Sequence, residues 1–382
     1  MPPAASTPPL SGAEARRYAR IRYRLLLLGL LLGCAFLIVF QASGFSVQLA
    51  RWWERHTAAA PLALLGYLAV FGLAQYAMMA PLHVSRSFIL EHRFGLSRMT
   101  VRAWVARETK QVAVSAGLSA ALIEAWYAIL RHAPDTWPLW ATLGWVSVSL
   151  LLARVFPTLL LPIFYKIEPL EREALSRRLL ALCRRARLPA LGVFRFNLGA
   201  ETRKANAALA GLGATRRVLV SDTLLQEFTP DEVEGVLGHE LGHHRFHHIR
   251  TMLVVSAVGS WIAFQATARV SASWLPALGL RGLDDPAGFP ILMLWFSALG
   301  GIGLSLQNGL SRLMEWQADR YAVDLTGRAG AFADALRRLA ALNLADPSPP
   351  RWVVWLFYDH PPITERIQAA AGRAAAAGNH AG

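Results

Sequence analysis

Six apolar runs, at residues 25–40, 61–80, 112–130, 139–162, 252–268 and 289–306, restrict this chain of 382 residues to very few folds. A helix needs about 20 apolar residues to cross a hydrocarbon core about 30 Å thick. Because lipid offers the backbone no hydrogen bonds, such runs must be helical. The sequence therefore predicts a mainly α, multi-pass transmembrane bundle of about six spans. Removal of the first run as a signal peptide is disfavoured, since its basic flank leads into a long apolar segment with no small-residue cleavage site.

Basic residues set the orientation, because Lys and Arg beside short loops stay on the cytoplasmic side. Arg16, Arg17, Arg20, Arg22 and Arg24 precede the first run, and Arg86, Arg93, Arg98, Arg102, Arg107 and Lys110 follow the second. The alternate loops carry only Arg51 and Arg55, then Arg131, then Arg269 and Arg281. Both termini and the segment 163–250 are thus expected in the cytoplasm, in a bacterial inner membrane if the arginine-rich composition is a guide. A net charge of +14 otherwise suggests nucleic acid. Here the charge is distributed by membrane side, which fits membrane lipids as partners and no nucleic acid. Cys34 and Cys183 fall in different compartments and form no disulfide framework.

The expected organisation is a disordered, basic segment 1–22, with 1–13 rich in Pro, Ala and Ser, then four membrane helices in 23–162 with a loop at 83–110. A cytoplasmic catalytic segment 163–250 follows, then two membrane helices in 251–308 and cytoplasmic helices in 309–382. Within 163–250, short alternating runs at 192–196, 205–210 and 216–221 read as a small β-sheet, with Gly211 and Gly213 marking a hairpin turn. Thr229-Pro230-Asp231-Glu232 is a helix start, with Thr229 as cap and Glu232 three residues on. The helix is expected to run from 230 to 249.

That helix carries His239-Glu240-Leu241-Gly242-His243. Residues four apart share a helical face, so both imidazoles reach one zinc ion while Glu240 stands beside a bound water as general base. A catalytic site takes three protein ligands. His244, His247 and His248 are poorly placed to supply the third, since one straight helix wraps only about two turns around an ion. They read as outer partners of the ligands or as surface groups. Glu315 is a better candidate, and Asp319 on the same face could accept the free ring proton of a ligand histidine. Taken alone, that pair reads better as ordinary solvated carboxylates on an exposed helix.

Several ordered motifs decide between these readings. Lys204-Ala205-Asn206-Ala207, the stretch 216–225, His239 to His243, Glu315 to Asp319, and His360-Pro361-Pro362-Ile363-Thr364-Glu365-Arg366 together resemble the type I CAAX prenyl protease family of integral membrane zinc metallopeptidases. Glu91, Phe94-Gly95-Leu96-Ser97 and Trp104 resemble that family's cytoplasmic loop, and 157–170 its fourth-helix exit. The resemblance covers roughly residues 60–370. It implies one zinc ion per chain on His239, His243 and Glu315, with Asp319 behind a ligand histidine. It also implies that His360 and Arg366 stand near the zinc to stabilise an oxyanion, and that Asn206 and Ala207 lie on the edge strand that receives substrate. A chamber between the membrane helices is a further family trait, and Glu124 and Arg154 inside predicted spans fit a polar interior.

The activity so implied is zinc-dependent endopeptidase cleavage of a peptide or protein substrate, membrane-associated or lipidated, in processing or quality control of membrane proteins. The alternatives are a heat-shock-type membrane metalloprotease with fewer spans, and a non-catalytic zinc-binding scaffold. An intact Glu240 argues against the scaffold. The carboxyl terminus has Asn379 where a CAAX box needs cysteine, so the chain is not its own client.

Overall fold

The computed structural model describes residues 12–211 and 216–379. The expected disorder of residues 1–11, the hairpin position Gly213 and the last three residues lie outside that range. From Gly12 onward the expectation of a disordered segment to residue 22 is wrong. The first helix, α1, spans Gly12–Ala42, because Tyr18 is buried against Phe94 with ring centroids 5.2 Å apart and so extends the helix beyond the lipid-facing run.

An amphipathic helix α2 (Phe45–His56), not anticipated from the sequence, separates α1 from α3 (Ala60–Val84). A π-helical turn, Ser85–Ile89, joins α3 to α4 (Leu90–Arg93). Next come α5 (Val101–His132) and α6 (Trp137–Val155), and a second π turn, Phe156–Leu160, leads to α7 (Leu161–Phe164). Pro81 shortly before the first π turn and Pro157 inside the second withhold a backbone donor, which is how a helical ladder is widened. Glu124, flagged inside a span, pairs with Arg131 at 3.7 Å.

The segment after the fourth span opens on β1 (Ile167–Pro169) and α8 (Glu173–Arg185), then β2 (Val193–Phe196), β3 (Ala207–Ala210) and β4 (Arg217–Ser221). The sheet order is β1-β2-β4-β3. β2 and β4 are parallel and the other two pairings antiparallel, with Ala207 opposite Val220. β3 is therefore an edge strand. Val193, Ala207, Leu209, Val218 and Val220 on one face bury against Leu179, Leu182, Val236, Leu237 and Leu241.

Helices α9 (Asp222–Glu227) and α10 (Pro230–Arg245) follow. α10 is capped as expected: Glu232 N–H donates to Thr229 Oγ1 at 3.3 Å and Thr229 N–H to Glu232 Oε2 at 2.7 Å. It does not continue to residue 249. His247 adopts a left-handed conformation, φ 57°, and a new helix, α11 (His248–Trp274), departs as a membrane span. Helix α12 (Phe289–Thr326) has 38 residues, about 57 Å at 1.5 Å per residue and nearly twice a hydrocarbon core. The sixth span and the segment carrying Glu315 are thus one uninterrupted rod. Helices α13 (Ala329–Leu342), α14 (Arg351–Phe357) and α15 (Ile363–Asn379) complete the chain. Six helical stretches among the described residues are long and apolar enough to cross a membrane, and the protein is a multi-pass integral membrane protein.

Two features dock the membrane half to the catalytic half. The loop after α4 pairs with the segment entering β3, through Arg98 N–H to Glu201 O at 2.9 Å and Arg203 N–H to Leu96 O at 2.9 Å. Glu91 accepts from the Tyr18 hydroxyl and pairs with Lys204 at 2.8 Å.

Candidate metal centre and active site

Small residues bring the centre together. A Cβ on Gly242 would lie 2.9 Å from the Cα of Ala318, and one on Gly238 would lie 3.2 Å from the Cα of Ala322. α10 and α12 therefore touch backbone to backbone along two turns. Glu315 and Asp319, four apart on α12, fall beside His239 and His243, four apart on α10.

The two Nε2 atoms of His239 and His243 are 3.1 Å apart. Glu315 Oε2 is 3.4 Å from His239 Nε2, and its Oε1 is 3.1 Å from His243 Nε2. Two ligand atoms held tetrahedrally at about 2.05 Å from zinc would be about 3.3 Å apart. The other ring nitrogens fix what these atoms present. His239 Nδ1 is 2.8 Å from Asp319 Oδ1, and His243 Nδ1 is 3.0 Å from His248 Nδ1. With both Nδ1 protons donated outward, two nitrogen lone pairs and a carboxylate converge. Glu315 is only 2% exposed, and among the described residues its Oε2 meets no donor closer than His239 Nε2 and Arg366 Nη1, each at a long 3.4 Å. Such a set of acceptors fits a cation, and N₂O donors suit zinc.

The same demand appears in the acid–base behaviour of the cluster. Burial alone would push His239 down, but hydrogen bonds to Asp319 and Glu315 outweigh it and raise its pKa to about 9. Burial raises the Glu240 carboxyl above its usual range, against the opposing pull of His239 and His243. Glu240 is part-buried and lines a cavity of about 230 Å³ together with Asn206, Ala207, His239, His360 and Arg366.

Every site residue named from the sequence thus comes to one place, though not all in the expected posture. His360 is half exposed, with Nε2 3.3 Å from Glu315 Oε1 and Nδ1 2.7 Å from Asp359 Oδ1. That hydrogen bond holds the Asp359 carboxyl below its usual value. Arg366 is 8% exposed and, among the described residues, pairs with Asp319 and Glu315 and not with Glu365. Its Nε and Nη2 donate to Asp319 Oδ2 and Oδ1 at 2.8 and 2.6 Å, and its Nη1 lies 3.4 Å from Glu315 Oε2. With these donors Arg366 holds two carboxylates, and its side chain also lines the cavity beside Glu240 and His360. Asn206 lies one residue before β3, its N–H donating to Ser221 Oγ at 3.0 Å.

Of the three extra histidines, His248 backs His243, His244 Nε2 donates to the Leu209 carbonyl of β3 at 2.9 Å, and His247 sits exposed at the helix break. Sequence reasoning missed Asp359 and Gln317. The first stands beside a flagged histidine. The second becomes visible only once the break after α10 turns His248 toward α12.

Comparison with known proteins gives the same answer from whole-chain similarity. The model of Peptidase family M48 matches residues 169–374, and that described as CAAX prenyl protease N-terminal, five membrane helices, matches residues 9–166. The chain is 28% identical over 376 residues to a Bacillus subtilis protein named "Uncharacterized metalloprotease YhfN", covering 96% of this chain and 87% of that one. It is 27% identical over 308 residues to Saccharomyces cerevisiae CAAX prenyl protease 1, covering 76% and 68%. The crystal structure of S. mikatae Ste24p has the same fold, with a TM-score of 0.84 over 96% of this chain and 91% of that one at 22% identity. A membrane bundle with α10 and α12 crossing at a histidine and carboxylate cluster, matched by both family models along almost its whole length, belongs to peptidase family M48, as a multi-pass membrane metallopeptidase of the CAAX prenyl protease type.

Proposed function

We propose that His239, His243 and Glu315 hold one zinc ion per chain, and that the protein cleaves internal peptide bonds with Glu240 as general base. What supports this most is the meeting of three side chains, the two imidazole Nε2 atoms 3.1 Å apart and each within 3.4 Å of one Glu315 oxygen, with a partly accessible carboxylate beside them. Zinc bound there supplies Lewis acidity toward a water molecule and toward the scissile carbonyl. Glu240 takes the water proton and returns it to the departing amine. Its raised affinity for a proton, caused first by burial, suits both transfers.

An extended peptide adds to the free edge of β3, where main-chain hydrogen bonds hold it and Asn206 and Ala207 face the cavity. His360, its Nδ1 2.7 Å from Asp359, presents Nε2 to the same cavity, where an N–H would donate to the oxyanion that develops on the carbonyl. Arg366 keeps Asp319 and Glu315 in place. By the distribution of basic residues, the site and both termini face the cytoplasm, in a bacterial inner membrane. Relatives named CAAX prenyl proteases point to membrane-associated or lipidated peptides as clients, within a broader role in processing membrane proteins.

The test is zinc quantification and cleavage of an unstructured reporter peptide by purified wild type and Glu240→Gln. Equal metal content with activity reduced about 10²- to 10⁴-fold in the variant is expected. Equal activity in both would remove Glu240 from the mechanism.

A further inference from the structure

A cavity of about 540 Å³ opens between α1 and α3, at the end of the spans next to the catalytic segment. Its floor is apolar: Leu26, Leu30, Met79 and Leu82 belong to the first two membrane spans. One helical turn above them stand Arg22 and Arg86, four residues from Leu26 and Leu82 respectively, with Lys204 and Glu91 alongside. Lys204 pairs with Glu91 at 2.8 Å, and Glu91 also accepts from the Tyr18 hydroxyl, so those two charges are matched internally. The guanidiniums are not matched. Among the described residues neither has a carboxylate partner, and Arg22 lies 5.5 Å from the Tyr18 ring centroid.

We propose that this cavity holds an anionic phospholipid of the surrounding bilayer. Its phosphodiester sits between Arg22 and Arg86, and the first carbons of its acyl chains lie on Leu26, Leu30, Met79 and Leu82. A guanidinium fork matches two phosphate oxygens, and basic pockets between membrane helices take lipid headgroups. A free phosphate would satisfy the two cations and leave the apolar floor without a partner. The π turn Ser85–Ile89 carries Arg86 on this wall, so the irregular end of α3 has a ligand to present to. Lys204, two residues before Asn206, is both a wall of the cavity and the start of the segment entering β3. A bound headgroup therefore steadies the approach to the strand that receives substrate.

The test compares wild type with the Arg22→Gln, Arg86→Gln double variant, full chain, in nanodiscs of phosphatidylcholine and phosphatidylglycerol in equal amounts, followed by native mass spectrometry. Wild type is expected to retain one phosphatidylglycerol per chain with a preference of roughly tenfold or more, and the double variant to lose the preference while unfolding at a similar temperature in detergent. If the variant fails to fold, wild type still answers by competition, since glycerol phosphate without acyl chains should not displace the lipid. Equal retention of both lipids, displacement by glycerol phosphate alone, or an unchanged preference in a folded double variant overturns the proposal. Unchanged lipid retention with a raised KM for peptides ending in a free carboxylate would assign the cavity to substrate instead.

Discussion

His248 Nδ1 lies 3.0 Å from Nδ1 of His243, while its Nε2 lies 3.0 Å from the amide oxygen of Gln317. An amide oxygen only accepts, so His248 carries its proton on Nε2 and accepts at Nδ1. His243 must then hold its own proton on Nδ1, leaving the Nε2 lone pair directed at Glu315. The 5% exposure of His248 keeps water from substituting for it. Replacing it with Ala removes this acceptor and frees the tautomer. Metal affinity, measured by chelator competition, should fall about 10- to 100-fold, with partial recovery in His248→Gln, whose amide oxygen can still accept.

At Gly242 the backbones of α10 and α12 meet with no room for a side chain. Gly242→Ala sets a methyl 2.9 Å from the Cα of Ala318, and a backbone atom has no flexible end to move aside. The helices must separate, at a cost of about 1–3 kcal/mol. The loss should appear twice, as a lower unfolding temperature and as weaker metal binding, because the separation draws Glu315 away from both imidazoles. Wild-type metal affinity in the Gly242→Ala variant would show that the helices absorb the methyl without parting.

Arg366 donates twice to the buried Asp319 carboxylate, at 2.8 and 2.6 Å. In Arg366→Met, Asp319 keeps only the His239 ring as partner, and breaking a buried pair from one side costs about 3–5 kcal/mol. The metal-free protein should therefore unfold at a clearly lower temperature than wild type, and added zinc should recover part of the difference by supplying positive charge. Arg366→Lys, which lacks the two-pronged donor set, should restore little.

Metal binding should depend on pH through His239. In the metal-free fold its pKa rises from 6.5 to about 9, so the protonated ring stabilises that fold fully below about 6.5, and the contribution is lost as pH climbs through 9. A metal must displace the same proton. Affinity should consequently increase with pH across this window and level off above it, with proton release detectable by calorimetry in buffers of different ionisation enthalpy.

The sequence made some of this legible because some of its signals are local. Apolar run length marked the six spans, and the cap at Thr229 marked the start of α10 to the residue. Two histidines four apart needed only helical periodicity. The contacts that complete the centre are not local. Nothing in the neighbourhood of His248 announces a helix break, since His247 is a non-glycine residue held at positive φ. Gly238 and Gly242 read as mild helix weakeners until Ala318 and Ala322 are seen opposite them. The fate of Arg366 was hidden for the same reason, for Asp319 lies 47 residues away along the chain and its claim on the guanidinium exists only in three dimensions. Tyr18 likewise looked like part of a loose basic leader, and only its burial against Phe94 shows why the first helix starts so early.

The continuity of α12 makes the protein a lever. From Pro290, at the far end of the sixth span, to Glu315 is about 38 Å at 1.5 Å per residue. A tilt of only about 2° pivoting at that far end would swing the ligand carboxylate by about 1.3 Å, against a spread of about 0.2 Å in ordinary metal–ligand bonds. A change of tilt in the sixth span would therefore be carried along one unbroken helix to the carboxylate that faces His239 and His243.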